Sequence, residues 1–234
     1  KDPVKIEVAP PSTTVEKIDQ RVLFVDRENK NALLKSMLED ATIERALIFA
    51  RTKHGANKIV KNLSKSKIKA DAIHGNKSQS ARIEALNKFK TGKVRVLVAT
   101  DIASRGIDVD GITHVINYEL PNEPESYVHR IGRTARAGAT GMALSLCDLG
   151  ELGYLKRIEQ ATNKTVAVEA DHIYHSESIA SKRGRSFGSK PKSPQRKRNF
   201  GYRPASGKNS RPAARNGRPQ RGNAQRSRRT AGNS

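Results

Sequence analysis

The chain has 234 residues, enough for one domain of ordinary size and an appendage. Its 45 Lys/Arg outnumber 23 Asp/Glu, and its single cysteine, Cys147, excludes a disulfide framework or a cysteine-rich zinc site within one chain. No apolar run is long enough to span a membrane and no signal peptide opens the chain, so we expect a reducing, cytoplasmic location and a buried Cys147. Because the first residue is Lys1 and not Met, we also expect a fragment of a longer protein.

Short β-rich runs alternate with helical patterns between residues 15 and 170. We predict strands at residues 21–25, 46–50, 70–73, 94–99, 114–118 and 142–147. Apolar residues at helical spacing predict helices between and after them, at residues 33–38, 56–63, 78–92, 123–129 and 152–161. This alternation is typical of an α/β fold with a mainly parallel sheet, whose ligands bind beyond the carboxyl ends of the strands.

The positive charge is concentrated at the C-terminal end. Residues 1–181 have a net charge of +5, whereas residues 182–234 hold 17 Lys/Arg and no acidic residue. A segment this polar cannot bury enough surface to offset the entropy of ordering, so we predict that residues 182–234 form a disordered basic tail. Such a tail is typical of an arm for nucleic acid, and a solvated extension is the alternative.

An arginine-rich run, HRIGRTARAG, occupies residues 129–138. Arg130, Arg133 and Arg136 fall within seven residues of it, with glycines between and beyond them. Guanidinium groups match phosphate oxygens in pairs, and glycine lets a backbone approach closely, so the run suits a polyphosphate. A surface cluster of salt bridges is the alternative.

A second run, ATDIASRGID, follows a predicted buried strand at residues 99–108. It places a hydroxyl, two carboxylates, an arginine and a glycine in one loop, on Thr100, Asp101, Arg105, Gly106 and Asp108. Carboxylates accept from sugar hydroxyls, whereas Thr and the glycine backbone donate to phosphates. The alternative for Thr100 and Asp101 is turn formation and helix capping.

Two more polar groups follow predicted strands. Arg51 and Thr52 come after one strand, and Gly75 comes after the next. Gln79 and Arg82 lie in the first turns of the following helix, where the helix N-terminus favours phosphate.

The set and order of these motifs resemble those of the DEAD-box RNA helicases of superfamily two. Their amino-acid sequences are close to those of the bacterial RhlE subgroup. The matching strings are IFARTKHGAN, AIHGNKSQSAR, VRVLVATDIASRGIDV and INYELPNEPESYVHRIGRTARAG, so the resemblance covers about residues 15–170. Ala135 stands where many members carry glycine, and we expect the alanine to be tolerated.

The resemblance implies a RecA-like three-layer sandwich, the second of two such domains that close over ATP and single-stranded RNA. Residues 1–14 would be the interdomain linker, 15–170 the helicase C-terminal domain and 171–181 a boundary segment before the tail. The sequence contains neither a G-x-x-x-x-G-K-[ST] loop nor an Asp-Glu-Ala-Asp string. The implied cofactor is ATP with Mg, and the metal would be held by the missing N-terminal RecA-like domain.

Residue roles follow from the same resemblance. Arg133 and Arg136 would be catalytic arginine fingers that also bind ATP, together with Gly106 and Asp108. The RNA backbone would be bound by Arg51, Thr52, Gly75, Gln79, Arg82, Thr100 and Asp101. Interdomain bracing would come from Arg105, His129 and Arg130. We assign no metal ligand to this chain.

We therefore predict the second half of an ATP-dependent RNA helicase that remodels or unwinds short RNA duplexes without base preference and is inactive alone. The expected partners are single-stranded or structured RNA, the missing N-terminal domain and ribosomal or RNA-decay assemblies, with no membrane. For the fragment alone, a non-enzymatic RNA-binding or RNA-chaperone module is the alternative.

Overall fold

The computed structural model describes residues 18–104, 107–136 and 140–183. The predicted linker at residues 1–14 lies outside the described residues, as do Arg105, Gly106 and the predicted tail from residue 184 onward. Among the described residues, none of the helices combines the length and apolar character needed to cross a membrane.

The described strands form one sheet in which each neighbouring pair is parallel. In chain order they are β1 Ile18–Phe24, β2 Ala46–Phe49, β3 Ala70–Ile73, β4 Val96–Ala99, β5 His114–Asn117, β6 Gly141–Cys147 and β7 Ala167–Val168. Their spatial order is β3-β4-β2-β5-β6-β1-β7. Strands β2, β4 and β5 are buried throughout because the sheet is covered on both faces, as their continuous apolar runs predict.

Helices connect the strands and cover the sheet. They are α1 Lys30–Glu39, α2 Lys53–Lys65, α3 Gln79–Lys90, α4 Asp101–Ser104, α5 Pro124–Ile131, α6 Leu152–Thr162 and α7 Glu177–Arg183, with a 3-10 turn Leu149–Glu151 before α6. Ser78 caps α3, since its Oγ accepts from Ala81 N at 3.2 Å. Helix α3 ends before Gly92, whose φ of +74° is the left-handed conformation that stops helices.

The core has three layers, because alternate residues of each strand face opposite sides. Ile48 packs with α1 and α2 on one face, whereas Leu47 and Phe49 pack with α3 and α4 on the other. Helices α5, α6 and α7 cover β1 on that second side. The predicted α/β sandwich with a parallel sheet is confirmed. Within α3, Ile83 is 51% exposed, whereas Ala85 and Phe89 are buried.

The C-terminal end of the described chain forms structure that the sequence pattern did not predict. His175 forms an antiparallel bridge with Val25, and the Ser176 N–H donates to the Phe24 carbonyl at 2.9 Å. Ile179 of α7 is 1% exposed and packs in the same cluster as Phe24. Most of the predicted boundary segment is therefore attached to β1, and α7 extends two residues into the predicted tail. The domain bounds themselves stay a prediction.

The one cysteine has the environment that we expected. Cys147 ends β6 and is fully buried. Burial raises the pKa of its thiol, so the group stays protonated at neutral pH and behaves as a small apolar side chain.

We expect buried histidines to make the fold acid-sensitive. Burial lowers the pKa of His114, and the charge of Asp40 only partly opposes this. Near pH 6.5 the unfolded chain binds a proton that the folded His114 resists, so the free energy of unfolding falls as the pH drops through this value. His114→Gln should make that fall shallower between pH 7.5 and 5.5 in urea unfolding, by about 1.4 kcal/mol for each unit of lowered pKa.

The matched control is His129→Gln, because His129 is exposed on α5. This variant should follow the wild-type profile. Parallel profiles for His114→Gln and wild type would show that His114 does not contribute to the acid sensitivity.

Candidate functional site

The predicted site residues lie along one edge of the sheet, where the parallel strands end. Arg51 and Thr52 follow β2, Gly75 follows β3, and Thr100 and Asp101 follow β4. Because neighbouring strands point the same way, their carboxyl ends meet at this edge, which we call the carboxyl edge. The structure thus places these motifs on one side of the sheet.

Arg130 of α5 is a buried charge with several partners at the carboxyl edge. Its Nε and Nη2 donate to the two Asp101 carboxylate oxygens at 2.6 and 2.8 Å. Its Nη1 donates to Asn117 Oδ1 at 3.1 Å and to the Glu119 carbonyl at 2.7 Å, and the guanidinium stacks 5.0 Å from the centre of the Phe49 ring. The residue is 1% exposed, so these partners replace the water that a buried charge needs.

This geometry gives Arg130 a bracing role inside the domain, whereas the sequence predicted one between domains. Its guanidinium is directed at β4, β5 and β2 of its own sheet. Asp101 accepts from Arg130 and keeps 39% of its side chain exposed, so its predicted contact with RNA stays a prediction. His129 is exposed, and it lines a cavity of about 220 Å³ together with Asp101, Arg130 and Arg133.

The two predicted arginine fingers and the predicted ribose acceptor lie together. Arg136 Nη1 pairs with Asp108 Oδ1 at 2.5 Å, and Arg133 Nη1 donates to the Ile107 carbonyl at 3.0 Å. Burial lowers the pKa of Arg133, as does the neighbouring charge of Arg136, while Asp108 opposes the shift. The Asp108 side chain is 86% exposed, so its carboxylate remains open to a ligand.

A threonine anchors the segment that carries these arginines. Thr134 is 1% exposed, and its Oγ1 donates to the carbonyls of Ile112 and Thr113. Gly141 makes room for it, because a Cβ at residue 141 would lie 2.7 Å from the Ala135 N atom and clash with the Thr134 side chain. The first residue of β6 must therefore be glycine for the arginine segment to pack as it does.

Ala135 adopts the left-handed conformation, with a φ of +55°. An L-residue pays a steric cost in this region and glycine does not, which explains why glycine suits the position. The expectation that alanine is tolerated here stays a prediction.

Replacing Ala135 by glycine should therefore not destabilise the fold. We expect Ala135→Gly to raise the free energy of unfolding by up to about 1.5 kcal/mol, because the left-handed cost of about 1–2 kcal/mol exceeds the roughly 0.5–1 kcal/mol of extra entropy that glycine loses. Urea denaturation measures the change. The control Ala170→Gly, at an exposed residue without a positive φ, should lower stability instead. A loss for Ala135→Gly equal to that of the control would contradict the argument from strain.

The remaining predicted RNA contacts follow β2 and β3. Thr52 caps α2 by accepting from Gly55 N at 3.0 Å, and Arg82 Nη1 donates to Gln79 Oε1 at 3.2 Å. Gly75 is exposed, and no protein atom lies within 4 Å of the position that its Cβ would occupy. Packing within the described residues therefore does not require a glycine at residue 75.

Sequence reasoning missed a buried carboxylate, Glu151, at the same edge. Its oxygens accept from Lys30 Nζ, from Arg51 Nη2 at 2.6 Å, from Leu120 N at 3.1 Å and from Asp148 N at 3.3 Å. Burial raises the pKa of Glu151, and Lys30 opposes the shift. The signal was present as Asp148-x-x-Glu151, the pattern of a capping box, and both of its hydrogen bonds are made.

Comparisons with known proteins agree with this geometry. A family model described as the helicase conserved C-terminal domain matches residues 29–138. The DEAD-box ATP-dependent RNA helicase CshA of Geobacillus kaustophilus is 42% identical over 163 residues, 70% of this chain and 35% of the relative. The protein of the same name from Bacillus subtilis is 43% identical, over 70% of this chain and 33% of the relative. The chain thus spans about a third of the length of these relatives.

Solved structures give the same result. The Escherichia coli DEAD-box protein SrmB, solved bound to the regulator of ribonuclease activity RraA, aligns with a TM-score of 0.66 and 32% identity over 68% of this chain and 95% of its own. A DEAD box protein from Methanococcus jannaschii aligns with a TM-score of 0.62 and 40% identity, over 66% of this chain and 42% of its own. These likenesses favour a helicase domain over a separate RNA-chaperone module.

Proposed function

Because the chain belongs to the DEAD-box protein family and contains its helicase C-terminal domain, we propose that it is the second half of an ATP-dependent RNA helicase that remodels or unwinds short RNA duplexes. The observation that carries this proposal is the ion pair of Arg136 with Asp108, with Arg133 on the same anchored segment. Two phosphate-binding groups and a sugar-binding group are thereby held side by side.

These residues fit a nucleoside triphosphate. The exposed Asp108 carboxylate accepts from ribose hydroxyls, and the backbone of Gly106, which lies outside the described residues, allows close approach. Arg133 and Arg136 donate to the terminal phosphate, where positive charge stabilises the transition state. ATP supplies the phosphoryl bond whose hydrolysis drives the cycle. Both arginines are engaged within the domain, so they must turn outward when the two domains close.

The RNA backbone would lie along the carboxyl edge. Arg51, Thr52, Gln79, Arg82 and Thr100 supply donors there, and Gly75 and Asp101 complete the set. The open space at Gly75 supports this proposal, since a phosphate can approach the bare backbone. Contacts to sugar and phosphate carry no sequence information, so binding would be independent of base.

Further proposals concern the metal, the cellular location, the subgroup and the partners of the domain. The described residues contain no group of three or more His, Cys, Asp or Glu that could hold a metal, and we propose that a preceding RecA-like domain holds Mg. We also propose a cytoplasmic enzyme of the RhlE-like subgroup that works in ribosomal or RNA-decay assemblies. Arg105, outside the described residues, and His129 would brace the contact with the preceding domain.

The finger assignment is tested in the polypeptide that carries both RecA-like domains. Arg133→Gln or Arg136→Gln should lower the RNA-stimulated kcat for ATP by about 10³-fold or more, because charge stabilisation of the transition state is lost. The KM for ATP should change much less. Phosphate release measures both. The control is Arg157→Gln, an exposed arginine of α6. A kcat within a few-fold of wild type for both finger variants would refute the assignment.

The predicted tail is tested by its salt dependence. Deleting residues 184–234 keeps α7 and removes most of the tail cations. If about six to eight of them neutralise phosphates, the slope of log K against log salt for single-stranded RNA should be roughly −4 to −6 and largely vanish on deletion. Titrations of RNA at several salt concentrations measure it. Equal slopes with and without residues 184–234 would show that the tail is an inert extension.

A further inference from the structure

Arg51 is held on two sides by side chains from the start of α6 and the turn before it. Its Nη2 donates to Glu151 Oε1 at 2.6 Å, and its guanidinium lies 5.2 Å from the centre of the Tyr154 ring. The Arg51 backbone is fixed as well, since its N–H donates to Glu119 Oε2 at 2.8 Å. An arginine directly after β2 therefore has a defined direction, while 33% of its side chain remains exposed.

Glu151 is suited to hold Arg51 in place because its own side chain is fixed. Only 4% of its side chain is exposed, and it sits in the 3-10 turn with its capping box closed. A carboxylate has about four lone-pair sites, and Lys30, Leu120, Asp148 and Arg51 supply four donors. The oxygen that faces Arg51 is thus fixed by the other contacts of the same group.

The surrounding charges show that this arrangement directs Arg51 and does not simply add positive charge. Lys30 pairs with both Asp148 and Glu151, and Arg51 adds the second cation, so the cluster of two acids and two bases is neutral. Attraction of a polyanion by net charge is therefore small here. What the cluster offers is a guanidinium with one Nη2 N–H committed to Glu151, on a side chain that remains 33% exposed.

We propose that Glu151 and Tyr154 are positioning residues that aim Arg51 at the backbone of bound RNA. The inference rests on the proposed RNA-binding function of the carboxyl edge. A free arginine side chain loses rotamer entropy when it binds a phosphate, whereas Arg51 has already lost it on folding. Tyr154 contributes its ring face, which attracts the guanidinium and keeps it from rotating about the Glu151 contact.

The test compares the affinity of the full chain for a fluorescein-labelled oligouridylate, by anisotropy, at about 0.3 M salt, where binding by the basic tail is screened. Glu151→Gln and Tyr154→Leu should each weaken binding about three- to ten-fold, the change that corresponds to freeing one rotamer-rich side chain. Tyr154→Phe keeps the ring and should bind like wild type. Glu39→Gln removes one negative charge at an exposed residue of α1 that belongs to neither cluster, so it serves as the control for Glu151→Gln and should also bind like wild type.

A double-mutant cycle separates positioning from support of the fold. In an Arg51→Ala background, Glu151→Gln and Tyr154→Leu should have no further effect on RNA affinity. If either variant weakens binding equally with and without Arg51, its role is structural and the proposal fails. Urea denaturation would show whether Glu151→Gln folds. If it does not, the comparison of Tyr154→Leu with Tyr154→Phe provides the test.

A side-chain signal reports on Arg51 directly. The Nε–H resonance of Arg51, identified by its loss in Arg51→Lys, should shift on addition of the oligouridylate and broaden in Tyr154→Leu. Wild-type or tighter binding by both Glu151→Gln and Tyr154→Leu would overturn the proposal. If the chain without residues 184–234 bound no RNA, this result would instead overturn the proposed function.

Discussion

The arrangement of the carboxyl edge depends on the burial of one guanidinium. A charged group that loses its water must find a partner for nearly every donor, or it destabilises the fold. Arg130 meets this condition only when Asp101, Asn117 and the Glu119 carbonyl converge on it. The loops after β4 and β5 and the helix α5 are therefore held to one geometry. A lysine has the charge but not the planar fork, and it could not satisfy the same set.

The second buried charge cluster is connected to the first through the loop after β5. Glu119 offers its carbonyl to Arg130 and its carboxylate to the Arg51 backbone, while the next residue, Leu120, donates to Glu151. Two proposed RNA contacts, Arg51 and Asp101, thus share a rigid support, although they lie on different loops. The two clusters are therefore joined through two consecutive residues, Glu119 and Leu120.

The fold could be predicted from the sequence largely because the buried strands of a parallel sheet are continuous apolar runs. Residues 70–73 match β3, and the runs in β2, β4 and β5 differ from their predicted bounds by one or two residues. Apolar spacing alone does not tell which face of α3 meets the sheet, and Ile83 of this helix is exposed. Helix α7 was missed because a single buried side chain, Ile179, holds it among polar residues, and this gives no periodic signal.

The candidate site could likewise be predicted from the sequence only in part. Motifs that directly follow strands could be located, since the parallel sheet brings their positions together. The partners of these motifs could not: Lys30 and Asn117 look like ordinary polar residues, and only the folded chain shows that each lies beside a buried charge. The positive φ of Ala135 could not be predicted either, because an alanine in the sequence does not indicate a positive φ as a glycine does.

The strand order also determines when the sheet can be completed during synthesis. Among the described strands, β1 hydrogen-bonds only with β6 and β7, and Ile18 lies opposite Gly141. Strand β1 must therefore wait for the synthesis of more than a hundred further residues, on the order of ten seconds at typical elongation rates. Throughout that interval an apolar strand with unsatisfied backbone groups is available to other nascent chains. Completion of the sheet thus depends on a pairing of long sequence separation, which is the kind of contact that slows folding.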